Sequence, residues 1–140
     1  MILGFTGTRN GMSSHQREKL VGLLMEMRPT ELHHGDCVGA DDEAANLVHE
    51  LFLTGKIAEC KIVCHPPKDR KLRAFNAYTD VLLEEKPYLD RNRGIVDYSD
   101  ILIAAPFSDQ EPKRYQSAGG TWMTVRYAIA QSKRVVMLER

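Results

Sequence analysis

Residues 2–11 read ILGFTGTRNG, a short apolar run that stops at a glycine turn. The run over 2–6 is typical of a buried strand, and Gly7 marks the point where that strand ends. A helical spacing of apolar residues follows over 13–27, and Pro29 comes directly after it. Strand, glycine turn and helix in this order indicate the first unit of an alternating α/β chain.

The same order recurs along the rest of the chain. Apolar runs predict further strands at 31–34, 60–65, 100–105 and 134–138, and amphipathic patterns predict helices at 41–53, 74–85, just before Asp97 and at 121–131. The polar stretch 106–118 is long for a connection and is a candidate lid. Apolar strands that alternate with helices predict one doubly wound α/β domain over residues 1–140, with a mainly parallel sheet of about five strands.

Composition narrows the class of function. Lys and Arg total 19 and Asp and Glu also total 19, so the chain lacks the basic excess of a dedicated non-specific nucleic-acid binder. No segment approaches the roughly 18 apolar residues of a membrane span, and the first residues lack the pattern of a secretory signal. Three cysteines are an odd number, which fits a reducing compartment. We therefore expect a cytoplasmic protein that does not act at a membrane.

Three glycine-rich turns join predicted strand ends to helix starts. They are Gly7-Thr8-Arg9-Asn10-Gly11, the stretch 35–41 (GDCVGAD) and the stretch 117–121 (SAGGT). In doubly wound folds such turns meet beyond the carboxyl ends of the strands, where ligands bind. Glycine lets a backbone approach a ligand closely, and the free N–H groups of a helix start attract anions. The turns predict a phosphate or nucleotide site, and Arg91-Asn92-Arg93 is either its clamp or a solvated helix start.

The spacing of the cysteines and histidines gives less support to a metal site or a reactive thiol. Cys60 and Cys64, followed by His65, lack a second ligand pair and share one face of a strand, so we expect no metal site. Cys37 is either a reactive thiol at a helix start or a tolerated small side chain. Of the two neighbouring histidines, His34 is nearer the glycine loop and is the better candidate for ligand contact.

At the level of whole motifs, the chain resembles the SLOG superfamily of Rossmann-like domains. The segments TGTRN, HGDCVGADDEAA, RNRGIVDYSDILIA and GGTWMTVRYAIAQSKRVVML carry this resemblance in order, and they are most similar to the YspA-like and DprA-like branches. The resemblance implies a Rossmann-like fold that binds nucleotides, nucleotide-derived signals or nucleic-acid ends. It assigns ligand contacts to Gly7, Thr8, Arg9, Gly35, Gly39, Ala40, Asp41, Arg91, Asn92, Arg93, Gly119, Gly120 and Thr121. Asp36 and Cys37 stand where relatives often carry small residues.

The resemblance also bears on catalysis. LOG enzymes, the phosphoribohydrolases of this superfamily, carry a catalytic glutamate at the position that Thr124 occupies here. A threonine cannot stabilise a developing oxocarbenium ion, so LOG-type catalysis is not expected. We expect a homo-oligomer that binds or senses a small phosphorylated ligand, His34 and Asp36 included in its site, and that needs no cofactor.

Two alternatives stay open at this stage. The first is a nucleotide N-glycosidic hydrolase or transferase that uses loop carboxylates, with Asp36 as the foremost candidate and Asp41 and Glu43 as helix caps or further members. The second is DprA-like binding of single-stranded DNA through basic side chains. These side chains are Lys68, Arg70, Lys71, Arg73, Lys113 and Arg114.

Overall fold

A computed structural model describes residues 1–113 and 120–140. Its elements are β1 (Ile2–Gly7), α1 (Ser14–Met27), β2 (Glu31–His34), α2 (Ala40–Leu53), β3 (Lys61–Cys64), β4 (Val81–Leu82), α3 (Tyr88–Tyr98), β5 (Ile101–Ala105), α4 (Gly120–Ala130) and β6 (Arg134–Met137). The predicted strands and four of the five predicted helices are confirmed. Residues 114–118 of the candidate lid lie outside the described residues. No described helix is long and apolar enough to cross a membrane.

All strands of the sheet are parallel, in the order β4-β3-β2-β1-β5-β6. The chain moves outward from β1 through β4 and then returns to the other side of β1 with β5. The strand order therefore reverses between β1 and β5, where Gly7 pairs with Ala105. This confirms the Rossmann-like, doubly wound fold, and the two-residue β4 brings the count to six strands instead of about five.

Helices cover both faces of the sheet, because neighbouring side chains of each buried strand point to opposite sides. One face of β1 carries Leu3 and Phe5, which are fully buried with Leu24 of α1 and Val48 of α2. The opposite face is covered by α3 and α4, and buried residues of this layer include Ile95, Val96, Leu102, Val125 and Ala128. The core thus holds the carboxyl ends of β1 and β5 side by side.

The helix predicted over 74–85 is wrong. The side-chain oxygen of Asn76 accepts a hydrogen bond from the N–H of Tyr78 at 2.9 Å, which closes a turn. The Asp80 carboxylate accepts from the N–H of Ile62 at 2.8 Å, and the Asp80 N–H donates to the Ile62 carbonyl at 2.9 Å. These bonds bind the backbone to side chains and to β3, so they replace the helical ladder that the apolar spacing predicts.

Two glycines provide a test of these elements. Gly22 is exposed in α1, and a methyl group added there meets no atom of the surrounding structure within 4 Å. We expect Gly22→Ala to raise the free energy of unfolding by about 0.5–1 kcal/mol, because glycine is a poor helix former. Urea denaturation measures this change. In Gly7→Ala the added carbon lies 2.5 Å from the Ala40 Cβ, so this control should lose stability. A less stable Gly22→Ala protein would contradict the α1 assignment.

Candidate functional site

The turn after β1 and the start of α2 form one packed unit. The Ala40 N–H donates to the Thr8 carbonyl at 3.0 Å, and the Thr8 N–H donates to the Ala105 carbonyl at 3.0 Å. Gly39 has a φ of +94°, and a Cβ added there would collide with the Arg9 carbonyl oxygen. Only glycine allows this backbone approach. The structure therefore brings two of the predicted turns into direct contact beside β5, with the Arg9 side chain exposed.

The start of α2 is rich in carboxylates. Asp41, Asp42 and Glu43 occupy its first turn. Glu43 accepts from the Met12 N–H at 2.8 Å and pairs with Arg17, so its carboxylate holds the loop between β1 and α1. Carboxylates at a helix start already compensate the positive end of the helix dipole. This end of α2 is therefore less suited to a phosphate than the glycine spacing alone indicates.

Asp41 is the most unusual of these three carboxylates. It is buried, and its Oδ2 accepts from the Cys37 N–H at 3.3 Å. Within the described part of the chain, its Oδ1 has no hydrogen-bond partner. Burial raises the pKa of Asp41 to about 6, and the Arg91 guanidinium opposes that rise. A buried carboxyl with a free oxygen is costly when charged, so Asp41 is a source of instability at neutral pH.

Arg91 lies inside the protein. Its Nη1 donates to the Gly35 carbonyl and, at 3.4 Å, to the His65 carbonyl, and its Nε donates to Asn92 Oδ1 at 2.8 Å. The side chain thus ties the ends of β2 and β3 to α3. Arg93 is exposed instead, with its guanidinium carbon 5.5 Å from the Tyr127 ring centroid. The predicted clamp is split between a buried arginine and a surface arginine.

Asn92 connects α3 with the start of α4. A Cβ added at Gly120 lies 3.5 Å from Asn92 Nδ2. Thr121 is buried, and Thr124 donates its hydroxyl to the Gly120 carbonyl at 2.6 Å. No acidic residue stands in the first turn of α4. Within the described residues, the first turn of α4 therefore lacks the carboxylates that compensate the positive end of α2. The predicted site residue Gly119 lies outside the described residues.

Asp36 holds a distant loop in place. Its backbone is left-handed, with a φ of +55°, and its side chain is fully buried. The carboxylate accepts from Arg73 Nε at 2.9 Å, from the Phe75 N–H at 3.2 Å and from the Asn76 N–H at 3.0 Å. These contacts give Asp36 a structural role that the sequence pattern does not reveal. A catalytic role for this residue stays a prediction.

Cys37 and His34 support the same loop from within. The Cys37 sulfur lies 3.7 Å from Arg91 Nη2, yet burial raises the pKa of the thiol, which is the opposite of an activated cysteine. His34 is fully buried, and its Nδ1 accepts from the Asp36 N–H at 3.0 Å. Burial lowers the pKa of His34 to about 4, so the ring is neutral at pH 7. The His34 ring therefore does not face solvent.

Two of the described basic side chains of the single-stranded DNA alternative are engaged in ion pairs. Arg70 pairs with Glu85 at 2.6 Å and Arg73 pairs with Asp36, whereas Lys68, Lys71 and Lys113 are exposed. Arg114 lies outside the described residues. Among the residues that are described, no three His, Cys, Asp or Glu side chains come together in a way that would hold a metal ion. Cys60 and Cys64 are buried, as small apolar side chains are.

The fold is shared with known structures, although the sequence is distant from them. No protein-family model matches this chain, and no curated protein matches it. The molybdenum cofactor binding protein from the phototrophic bacterium Rippkaea orientalis is 20% identical, with a TM-score of 0.67 over 97% of this chain and 74% of that one. A structural genomics target named TM1055 is 18% identical, with a TM-score of 0.63 over 96% and 71%. At such identities the likeness shows the Rossmann-like fold alone.

The buried pair of Asp36 and Arg73 can be tested by unfolding. We expect Asp36→Asn to lower the free energy of unfolding by about 3 kcal/mol, because a buried guanidinium loses its counter-charge. Asparagine tolerates the left-handed backbone, and its amide NH2 replaces one of the two oxygens that accept from Arg73, Phe75 and Asn76, so the loss includes a hydrogen-bond acceptor as well as the charge. The control is Arg70→Gln, which breaks an exposed pair and should cost less than about 1 kcal/mol in urea denaturation. Equal losses in both variants would contradict the anchoring role.

The raised pKa of Asp41 predicts that its carboxyl makes the protein less stable as the pH rises. A carboxylate in an ordinary ion pair has the opposite effect. The pKa of Asp41 is raised from 3.8 to about 6 in the folded protein. Between these two pH values the folded state holds a proton that the unfolded chain has lost. Its burial penalty is therefore present above pH 6 and is relieved as the pH falls. We expect Asp41→Asn to be more stable than wild type by about 1–3 kcal/mol at pH 8, and by little at pH 4.

Urea denaturation of Asp41→Asn and wild type from pH 4 to pH 8 measures that difference. Asp90→Asn is a matched control, since Asp90 also stands in the first turn of a helix but is exposed. Loss of the Asp90 carboxylate should leave the free energy of unfolding unchanged or slightly lower at pH 8. A stability gain for Asp41→Asn that does not shrink toward pH 4 would show that its carboxyl is not the titrating group.

Proposed function

We propose that this protein is a SLOG-like binding or sensing domain for a small phosphorylated ligand, a nucleotide or a nucleotide derivative. The observation that carries the proposal is the close approach of Gly39 to the Arg9 backbone. It holds the turn after β1 at the point where the strand order reverses, with Arg9 exposed to incoming ligand. Open α/β sheets bind ligands at this point of the sheet.

The charges of the two helix starts favour a particular orientation of the ligand. The start of α4 has no acidic residue in its first turn and lies beside the Asn92 amide, so it suits the phosphate. The start of α2 carries three carboxylates, which compensate the positive end of that helix, so it is less suited to the phosphate. Arg9 and Arg93 are the exposed cations that we assign to the phosphate end.

Two further observations support binding of a small ligand. A chain of similar fold is described as a molybdenum cofactor binding protein, so the fold accommodates a small ligand in at least one distant relative. The SLOG motifs narrow the expected ligand to nucleotides and their derivatives. We propose no cofactor of its own for this chain, and the homo-oligomer stays a prediction that light scattering would measure.

Binding is favoured over the hydrolase or transferase alternative because the candidate catalytic side chains are already engaged in hydrogen bonds. The Asp36 carboxylate is occupied by Arg73 and by two backbone N–H groups. Thr124 donates its hydroxyl within α4. Neither side chain is free to act as a nucleophile or general base in the arrangement described, and the proposal therefore assigns no reaction to the site.

A thermal-shift panel of nucleoside mono-, di- and triphosphates and ADP-ribose tests the proposal. A ligand at 100 times its Kd should stabilise the fold by about 2.7 kcal/mol, which raises the Tm by several degrees. Arg9→Gln and Arg93→Gln should reduce the shift. Arg134→Gln is the control, because Arg134 is exposed at the opposite end of the sheet, where β6 begins. The absence of a shift with every compound would contradict the proposal.

A further inference from the structure

An open groove of about 620 Å³ runs along the outer side of α2 and includes no residue of the glycine turns. One wall is formed by α2 itself, and the other wall is the loop 74–78. We call it the α2 groove. Its volume lies within the range of about 300–1,000 Å³ that is typical of small-molecule sites.

The loop wall of the α2 groove is held in place by polar contacts. Asn76 Nδ2 donates to Asp42 Oδ1 at 2.7 Å and to Asn46 Oδ1 at 2.9 Å, which fastens the loop to α2. The buried Asp36 carboxylate accepts from the N–H groups of Phe75 and Asn76 from the other side. The groove is thus formed by the folded protein before any ligand arrives.

Aromatic and apolar surface lines the α2 groove. Phe75 is 56% exposed and Leu53 is 70% exposed. Tyr78 stacks on His49 with ring centroids 3.7 Å apart and an angle of 11° between the planes. Exposed aromatic and aliphatic surface of this kind packs against methylene groups. One face of the Phe75 ring is covered by the Arg73 guanidinium, whose carbon lies 4.3 Å from the ring centroid.

The charged side chains that line the α2 groove are acidic. Asp42 and Glu50 line it, and no lysine or arginine does among the described residues. The two carboxylates are eight residues apart on α2, which places them about 12 Å apart along the helix axis. Both lie on the α2 wall of the groove, with Asn46 and His49 between them along the helix and Leu53 beyond Glu50. A ligand that matches this pattern has two cationic ends and an apolar body.

We propose that the α2 groove binds a linear aliphatic polyamine. Its terminal ammonium groups lie at Asp42 and Glu50, and its methylene chain lies along Phe75 and the stacked rings of His49 and Tyr78. The same ammonium chemistry is presented by lysine side chains of a basic peptide, so the experiment includes that source as a separate arm. The polyamine site shares no residue with the proposed nucleotide site and does not depend on it.

Calorimetric titration of the full chain with diamines of increasing length tests this site. Extended 1,8-diaminooctane spans roughly 11 Å between its nitrogens, given C–C bonds of about 1.5 Å, so it should bind more tightly than 1,4-diaminobutane. Spermidine, which has a similar span, should bind as well. Octylamine, with one charge, and 1,8-octanediol, with none, should each bind more weakly than the diamine. Affinity that is independent of chain length and charge would overturn the proposal.

Variants of the carboxylates locate the binding. Glu50→Gln should weaken 1,8-diaminooctane about threefold, and the double change of Asp42→Asn with Glu50→Gln about tenfold, because each removes one partly exposed ion pair. Glu18→Gln is the matched control, since Glu18 is exposed on α1. It should leave the affinity unchanged, as should Arg9→Gln in the proposed nucleotide site. Equal weakening by Glu18→Gln and Glu50→Gln would overturn the proposal.

Two further measurements exclude other occupants of the α2 groove. A flexible peptide with two lysines that binds more tightly than every diamine would assign the groove to a protein partner and overturn the polyamine proposal. Sedimentation at the titration concentrations detects a second copy of the chain in the groove. A dimer that excludes diamines would also overturn the proposal, whereas a diamine response that is independent of protein concentration would support it.

Discussion

The carboxylate of Asp36 is buried at the end of β2, where it faces a guanidinium and two backbone N–H groups of a segment almost forty residues further along the chain. A buried charge must be matched by such partners, or the fold loses several kcal/mol. Matching it fixes the path of the chain at Arg73 and Phe75. That path brings the following residues against β3 as β4, and it sets Asn76 against α2. One ion pair thus determines an edge of the sheet and one wall of the α2 groove.

The proposed ligand site rests on a different balance of charges. The first turn of α2 carries three carboxylates, whereas the described first turn of α4, from Gly120 onward, carries none. Arg91, a cation that a glycine-rich edge would be expected to offer to a phosphate, is used to bind carbonyl groups of Gly35 and His65. The carboxyl edge of the sheet therefore carries acidic side chains at the start of α2, and its exposed cations include Arg9 and Arg93. The recognition that we propose rests on these charges more than on the number of glycines.

The sequence predicts the parts of the fold whose signal is local. Buried parallel strands read as apolar runs, and α2 has a clear apolar face, so their bounds are found to within a few residues. The segment 74–85 fails because its Asn76 and Asp80 side chains bond to backbone groups that no periodicity records. The site is predictable only in outline. The turns and their meeting at one edge follow from the topology, but the partners of Asp36 and the burial of Arg91 are tertiary facts with no sequence motif.

The central place of β1 in the sheet has a consequence for how the chain acquires its structure. During synthesis β1 can pair with β2 as soon as residue 34 has emerged, but its other edge is completed by β5, about a hundred residues later in the sequence. Until then an apolar strand edge is exposed to solvent and to other chains. Pairing over such a distance is slow, since the intervening loop must first be closed. The segment from β1 to β4 is therefore prone to aggregation until β5 is available to pair with β1.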